Sequence, residues 1–225
     1  MGLLLVIILY VIYRKYRKHV YLHCEYFKQK QIPYSKVKSD TGMFGEYKIY
    51  KDLRDYEKMG ARFLFNCYVP NGNNKTSEID IIMIYHSGIY VFESKNYSGW
   101  IFGNSKQYKW TQTFRSGTKE HFYNPILQNK THINALKHYL PNVNCAYHSI
   151  IVFSNRCSFK NVDSTHEMVD IIHLRNLQKM ISFIDSKMAP ALSATEISEI
   201  YGILYPLTQV SDIEKYRHIY SIRNR

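Results

Sequence analysis

"EIDIIMIYHSGIYVFESKN", residues 78–96, holds two strongly apolar runs of this 225-residue chain on either side of a short polar turn. Ile, Val, Tyr and Phe dominate both runs, which suits pleated, half-buried strands, and His86-Ser87-Gly88 between them reads as a hairpin turn. Charges nevertheless stand at the strand ends: Asp80 opens the first strand, and Glu93 and Lys95 close the second. Residues two apart on a strand share a face, so Glu93 and Lys95 point the same way. Antiparallel pairing centred on Ser87 sets position 80 opposite position 94, which makes Asp80 a close neighbour of Glu93. Two carboxylates brought together repel unless a cation lies between them. Hard oxygen ligands of this kind suit Mg²⁺ or Mn²⁺, and an adjacent Lys can hold a water or stabilise an oxyanion. The same pattern also describes a hairpin end whose charges are simply solvated.

Outward from the hairpin, the chain alternates between the two periodicities. Met43, Tyr47, Tyr50 and Leu53 recur at helical spacing and predict a helix over 42–58, ended by Gly60. "ARFLFNCYVP" predicts a strand over 62–69, followed by the turn-rich "NGNNKTS". Residues 96–121 are rich in Gly, Ser, Lys and aromatics and predict a small peripheral hairpin around 100–102 and 108–114. "YNPILQNKTHINALKHYL" predicts a helix with Asn124 as N-cap and Pro125 in the first helical position; Ile126, Ile133, Leu136 and Leu140 form its apolar stripe. "HSIIVFS" and "MVDIIHL" read as further core strands. "NLQKMISFID", "SATEISEIYGILY" and "SDIEKYRHIY" read as C-terminal helices, the last two with capping-box spacing at Ser193/Glu196 and Ser211/Glu214. Helix, three strands, helix, two strands and closing helices make a mixed α/β layer fold.

The net charge of +12 is unevenly spread. Residues 1–40 carry half of it on a short basic arm, so the body is only mildly basic, which permits contact with a phosphate backbone without demanding it. Cys24, Cys67, Cys145 and Cys157 are too widely spaced for a zinc knuckle and read as reduced thiols. The ten His contain no HExxH arrangement; His132 and His138, on one predicted helix, read as surface or packing residues. The apolar run 2–13 is followed by the basic cluster 14–18. About twelve apolar positions fall short of the roughly 20 that span a bilayer, and no small-residue cleavage site follows. Two readings stand: a short membrane anchor, single-pass or peripheral, with the body facing the cytoplasm by the positive-inside rule, or a buried helix of the domain. Residues 19–40 read as a polar connector.

Several pieces occur in one order: "GE" at Gly45-Glu46, "SEIDIIMI" at 77–84, "GIYVFESKNYSGWIFG" at 88–103, Trp110, "NPILQN" at 124–129 and "IIVFS" at 150–154. This set resembles the nuclease-related domain (NERD) family, which is similar to PD-(D/E)xK nucleases, over about residues 41–155. The resemblance implies a restriction-endonuclease-like α/β core with C-terminal helices. It also implies roles. Asp80, Glu93 and the Ser94 carbonyl would ligate Mg²⁺ or Mn²⁺, and Lys95 would orient or activate the attacking water and stabilise the transition state. Glu46 would complete the site through water and Gln128 would approach from the second helix. Glu46 also fits a first-turn acid favoured by the helix dipole, and Gln128 a surface amide. Tyr97, Trp100, Trp110 and Phe114, with Lys106, Lys109 and Arg115, either stack on single-stranded nucleic acid or pack a peripheral hairpin. The expected organisation is an anchor and basic flank over 1–18, a linker over 19–40, the nuclease-like domain over 41–174 and a helical extension over 175–225. The expected activity is metal-dependent hydrolysis of nucleic acid, DNA foremost, at a membrane. The rival is a catalytically inactive module that keeps the fold to bind nucleic acid or a partner.

Overall fold

The computed structural model describes residues 2–72, 75–162 and 169–223. In chain order its helices are α1 (Gly2–Leu22), α2 (Glu25–Lys30), α3 (Tyr34–Ser39), α4 (Thr41–Leu53), α5 (Pro125–Tyr139), α6 (Leu177–Lys187), α7 (Ala194–Leu204) and α8 (Asp212–Arg223). Its strands are β1 (Arg62–Pro70), β2 (Thr76–Tyr85), β3 (Gly88–Lys95), β4 (Gly99–Gly103), β5 (Lys109–Thr113), β6 (Lys119–Tyr123), β7 (Tyr147–Phe153), β8 (Cys157–Val162) and β9 (Val169–His173).

A five-stranded sheet in the order β1-β2-β3-β7-β9 forms the centre. Its first three strands are an antiparallel meander, while β3, β7 and β9 run parallel. Both faces are covered, so the strands read as near-continuous apolar runs. One face packs against α4 and α6 through Ile81, Met83, Tyr90 and Phe92; the other packs against α5 and α7 through Ile82, Ile84, Ile89 and Val91. The side-chain oxygen of Asp40 caps α4 by accepting from the Met43 amide. The helix expected over 42–58 ends at Leu53 and tightens into a 3₁₀ turn, Arg54–Met59, stopped by Gly60 in the left-handed region.

The peripheral hairpin expected after Lys95 is instead part of a second, four-stranded sheet in the order β6-β5-β4-β8. Its fourth strand, β8, comes from a segment that was not expected to pair. Trp110 is the anchor of this layer: fully buried, it stacks on Phe153 at 6.3 Å and 8°, and its indole nitrogen donates to the Asn104 carbonyl at 3.0 Å.

Residues 19–40 are not an extended connector. They hold the end of α1 and two short helices whose Tyr21, Tyr26 and Val37 are buried against α4 and β1. The aromatic rings supply enough area to tie this polar segment down. Further back, α1 projects from the body: Leu3 through Tyr13 are each 44–77% exposed. Among the described residues no helix is long and apolar enough to cross a membrane, which corrects the expected transmembrane helix. The apolar part of α1 rises only about 18 Å against the roughly 30 Å of hydrocarbon.

Candidate active site

The β2–β3 hairpin sets the geometry. Its turn is two residues, His86 and Ser87, so Tyr85 pairs with Gly88, Ile82 with Val91 and Ile81 with Phe92. The centre thus lies half a residue before Ser87, and continuing the register puts Asp80 opposite Glu93. Asp80 also reaches the next residue, accepting from the Ser94 amide through Oδ2 at 2.8 Å. Across the other edge, Asn66 of β1 stands at the position facing Asp80 but drops out of the ladder. Its φ of 49° is in the left-handed region, which Asn tolerates better than most residues. The sheet is therefore interrupted beside Asp80.

Glu93 is 1% exposed. Its Oε1 lies 2.7 Å from Lys95 Nζ, and its Oε2 lies 3.3 Å from His132 Nε2. The second contact is close but misaligned, so Oε2 is buried and accepts no hydrogen bond. Burial alone would raise the Glu93 carboxyl; the charges of Lys95 and His132 overcome it and hold it below its usual value. Burial would likewise lower Lys95, but Glu93, with Tyr97 and Asp80 adding to it, keeps the ammonium charged well into alkali. Lys95 also donates to Gln128 Oε1 at 3.2 Å. Gln128 and His132 are four apart on α5 and so share the face turned to β3. That helix is held in register by buried Asn129, whose amide nitrogen donates to the Val91 carbonyl at 3.0 Å and Ser149 Oγ at 2.9 Å.

Glu46 enters from α4. Gly45 permits the approach: a Cβ there would stand 2.6 Å from Ser94 Oγ and 2.9 Å from Asn96 Cβ. Glu46 lies beyond the first turn of α4, which contains no acid, so a helix-dipole role does not account for it. Its oxygens accept from the Tyr26 hydroxyl at 3.3 Å and the Asn66 amide at 3.4 Å. Burial pushes it up to about 7, against the opposing pull of Lys30. Burial in turn holds Lys30 below the usual lysine range; its ammonium donates to Asn66 Oδ1 at 2.5 Å. Asp80 is raised well above the ordinary carboxylate range by burial, then by Glu93 and Glu46.

A cavity of about 510 Å³ opens onto this group. Asp80, Gln128 and His132 line it together with Tyr108, Tyr123 and His218 of α8; of these Tyr108 and Tyr123 are exposed, while His218 is buried. The structure therefore brings together Asp80, Glu93, Ser94, Lys95, Glu46 and Gln128. Ser94 meets Asp80 through its amide, not its carbonyl. Among the described residues no three His, Cys, Asp or Glu side chains gather closely enough to cage a metal ion. His132, read from the sequence as surface or packing, is buried beside Glu93. Its spacing of four from Gln128 was the available signal. Asn66, Tyr26 and Lys30 carried none. Of the residues considered for base stacking, Trp110 is core and Tyr97 packs on Phe122 and Phe153.

Residues 41–154 match the nuclease-related domain family. An uncharacterized protein of Bacillus anthracis is 33% identical over 187 residues, covering 82% of this chain and 84% of that one. That likeness is longer than the family-matched segment, so it extends into the flanking helices. No solved structure matches the chain significantly. The ordered set from Gly45-Glu46 to Ser154, the site it assembles and these matches agree: the chain belongs to the nuclease-related domain (NERD) family, within the PD-(D/E)xK-like nucleases.

Proposed function

We infer that the protein hydrolyses phosphodiester bonds of nucleic acid, DNA foremost, with Mg²⁺ or Mn²⁺ held by Asp80 and Glu93. The observation that carries this is the convergence of Asp80, Glu93 and Lys95 beside a cavity that Asp80 itself lines. The donor set fits a hard divalent cation. Two acidic side chains meet, one oxygen of Glu93 is buried without a hydrogen bond, and burial, with the charges of Glu93 and Glu46 adding to it, raises Asp80. Mg²⁺ sites commonly use one or two carboxylates, with water and substrate oxygens completing the shell; here the Ser94 carbonyl is the proposed backbone donor. When bound, the cation would polarise the phosphate and lower the pKa of a water.

The chain's own groups divide the remaining work. Lys95, kept protonated by Glu93, donates hydrogen bonds and positive charge to a phosphoryl oxygen as charge develops there. Because it stays charged, it orients water rather than removing its proton. Gln128 holds the Lys95 ammonium in place, and His132 steadies Glu93 from α5. Glu46 titrates near neutrality, which suits a group that takes up or releases a proton through an intervening water.

The same proposal places the protein at the inner face of a membrane, with α1 lying in or dipping into the interface. Its support is the apolar surface of Leu3 through Tyr13, exposed on all sides, followed by Arg14, Lys15, Arg17 and Lys18. Fractionation tests this: full chain recovered in the soluble fraction without detergent would remove the membrane from the proposal.

For the chemistry, the full chain would be incubated with single- and double-stranded DNA and RNA in Mg²⁺, Mn²⁺ or EDTA. Cleavage should need the metal and vanish in Asp80→Ala and Lys95→Ala. Cleavage that survives both substitutions would sink the assigned site, and binding without cleavage of every substrate would favour a non-catalytic module.

A further inference from the structure

Tyr108 and Tyr123 both line the cavity that Asp80 lines. They are 61% and 37% exposed, with ring centroids 5.0 Å apart and planes at 69°. Large rings at the surface are ordinarily free to move, but these are mounted on fixed backbone. Tyr123 is paired with Lys109 across β5 and β6. The carbonyl of Tyr108 accepts from the Asn124 amide at 3.0 Å. Asn124 is fully buried, and its side-chain amide donates to the Asn104 carbonyl at 3.1 Å and the Gln107 carbonyl at 2.6 Å. The residue that caps α5 therefore also clamps the loop before Tyr108. One helix start positions both Gln128 and the ring pair on the cavity.

We propose that Tyr108 and Tyr123 are a docking platform for the base of an unpaired nucleotide, so that the strand delivered to Asp80 is single-stranded. This rests on the nucleic-acid reading above and narrows its substrate class. Three observations carry it. The rings meet edge to face, which leaves the face of one of them for a base; such stacking tolerates any sequence, since every base has a π-face. Lys109, exposed beside the rings, supplies a cation for the adjoining phosphate. The cavity, about 510 Å³, has the size of a small-ligand site and admits a nucleotide or two rather than a length of duplex. Glu78 also lines it, and its carboxylate, beside Asn66 and His218, disfavours a second phosphate backbone there.

The test uses the full chain in detergent, with a fluorescein-labelled 15-mer DNA as probe, single-stranded or annealed to its complement. Binding is read by anisotropy in EDTA and again in Ca²⁺. The single strand should bind more tightly than the duplex. Tyr108→Ala should weaken single-strand binding roughly 5- to 100-fold with its melting temperature unchanged, while Tyr108→Phe keeps it. Equal affinity for the two forms, undiminished binding by Tyr108→Ala, an equal loss in Tyr108→Phe, or no binding of either probe would overturn the proposal. Tyr108-dependent binding of single strands with no cleavage in Mg²⁺ or Mn²⁺ would leave the platform standing and remove the nuclease reading instead.

Discussion

Glu46 gives the sharpest thermodynamic test of the site. Its carboxyl rises from an ordinary value near 4.5 to about 7, chiefly through burial. The folded protein therefore keeps a proton on Glu46 between those values, where the unfolded chain has released it. The group is neutral to stability below about pH 4.5, and stability is lost as pH rises through this window, fully by about pH 8. At about 1.4 kcal/mol per tenfold change in proton affinity, the full loss is about 3.5 kcal/mol. Glu46→Gln removes the titration. It also replaces one acceptor by an amide nitrogen, which costs about 1 kcal/mol at any pH because either Tyr26 or Asn66 loses its partner. The variant should therefore be equal to or slightly weaker than wild type at pH 5, and more stable at pH 8. The swing between the two conditions should be about 2.5 kcal/mol, or about 5–10 °C in melting temperature for a chain of this size. Thermal unfolding of both proteins in EDTA at pH 5 and pH 8, followed by circular dichroism, measures it. Titrating groups away from Glu46 are common to both proteins and cancel. A wild-type-to-variant difference that is the same at both pH values would refute the placement of Glu46 in a buried, charge-crowded position.

Three further outcomes follow from the same packing. Lys95→Met strands a buried carboxylate at Glu93 and should destabilise by about 3–5 kcal/mol at pH 7. Since Lys95 lowers Glu93, the loss should shrink as pH falls through the range where Glu93 protonates; urea titrations at pH 7 and pH 4 compare the two. Gly103→Ala should destabilise measurably in the same titration, because its Cβ would stand 2.2 Å from the ring of Trp110, which is fully buried and has nowhere to move. Asn124→Ala removes the cap of α5 and the clamp on the loop before Tyr108; about 2 kcal/mol or more should be lost, and hydrogen exchange should quicken at Gln107 and Tyr108 while β2 and β3 stay protected.

The sequence by itself determined the local machinery of this protein. Alternation and a two-strand apolar run determined the β2–β3 hairpin, period two put Glu93 and Lys95 on one side, and Asn124-Pro125 determined where α5 starts. These are effects of neighbouring residues, and the chain order of the motifs carried the family. Only the tertiary structure decided the rest. The hairpin centre moved by half a residue, because a turn's length is settled by the ladder it closes. His132 became a partner of Glu93, since a His on a helix says nothing of what the facing strand presents. Residues 19–40, polar by composition, became part of the body because Tyr21 and Tyr26 find α4 and β1, and Tyr26 then reaches Glu46. Strand β8 formed because β4 offered it a parallel edge. Asn66 left its ladder beside Asp80, where Glu46, Glu78 and Lys30 gather on its side chain. Each of these is a contact between segments far apart in the chain, decided by which surfaces meet once the sheet has formed, and no periodicity within either segment records it.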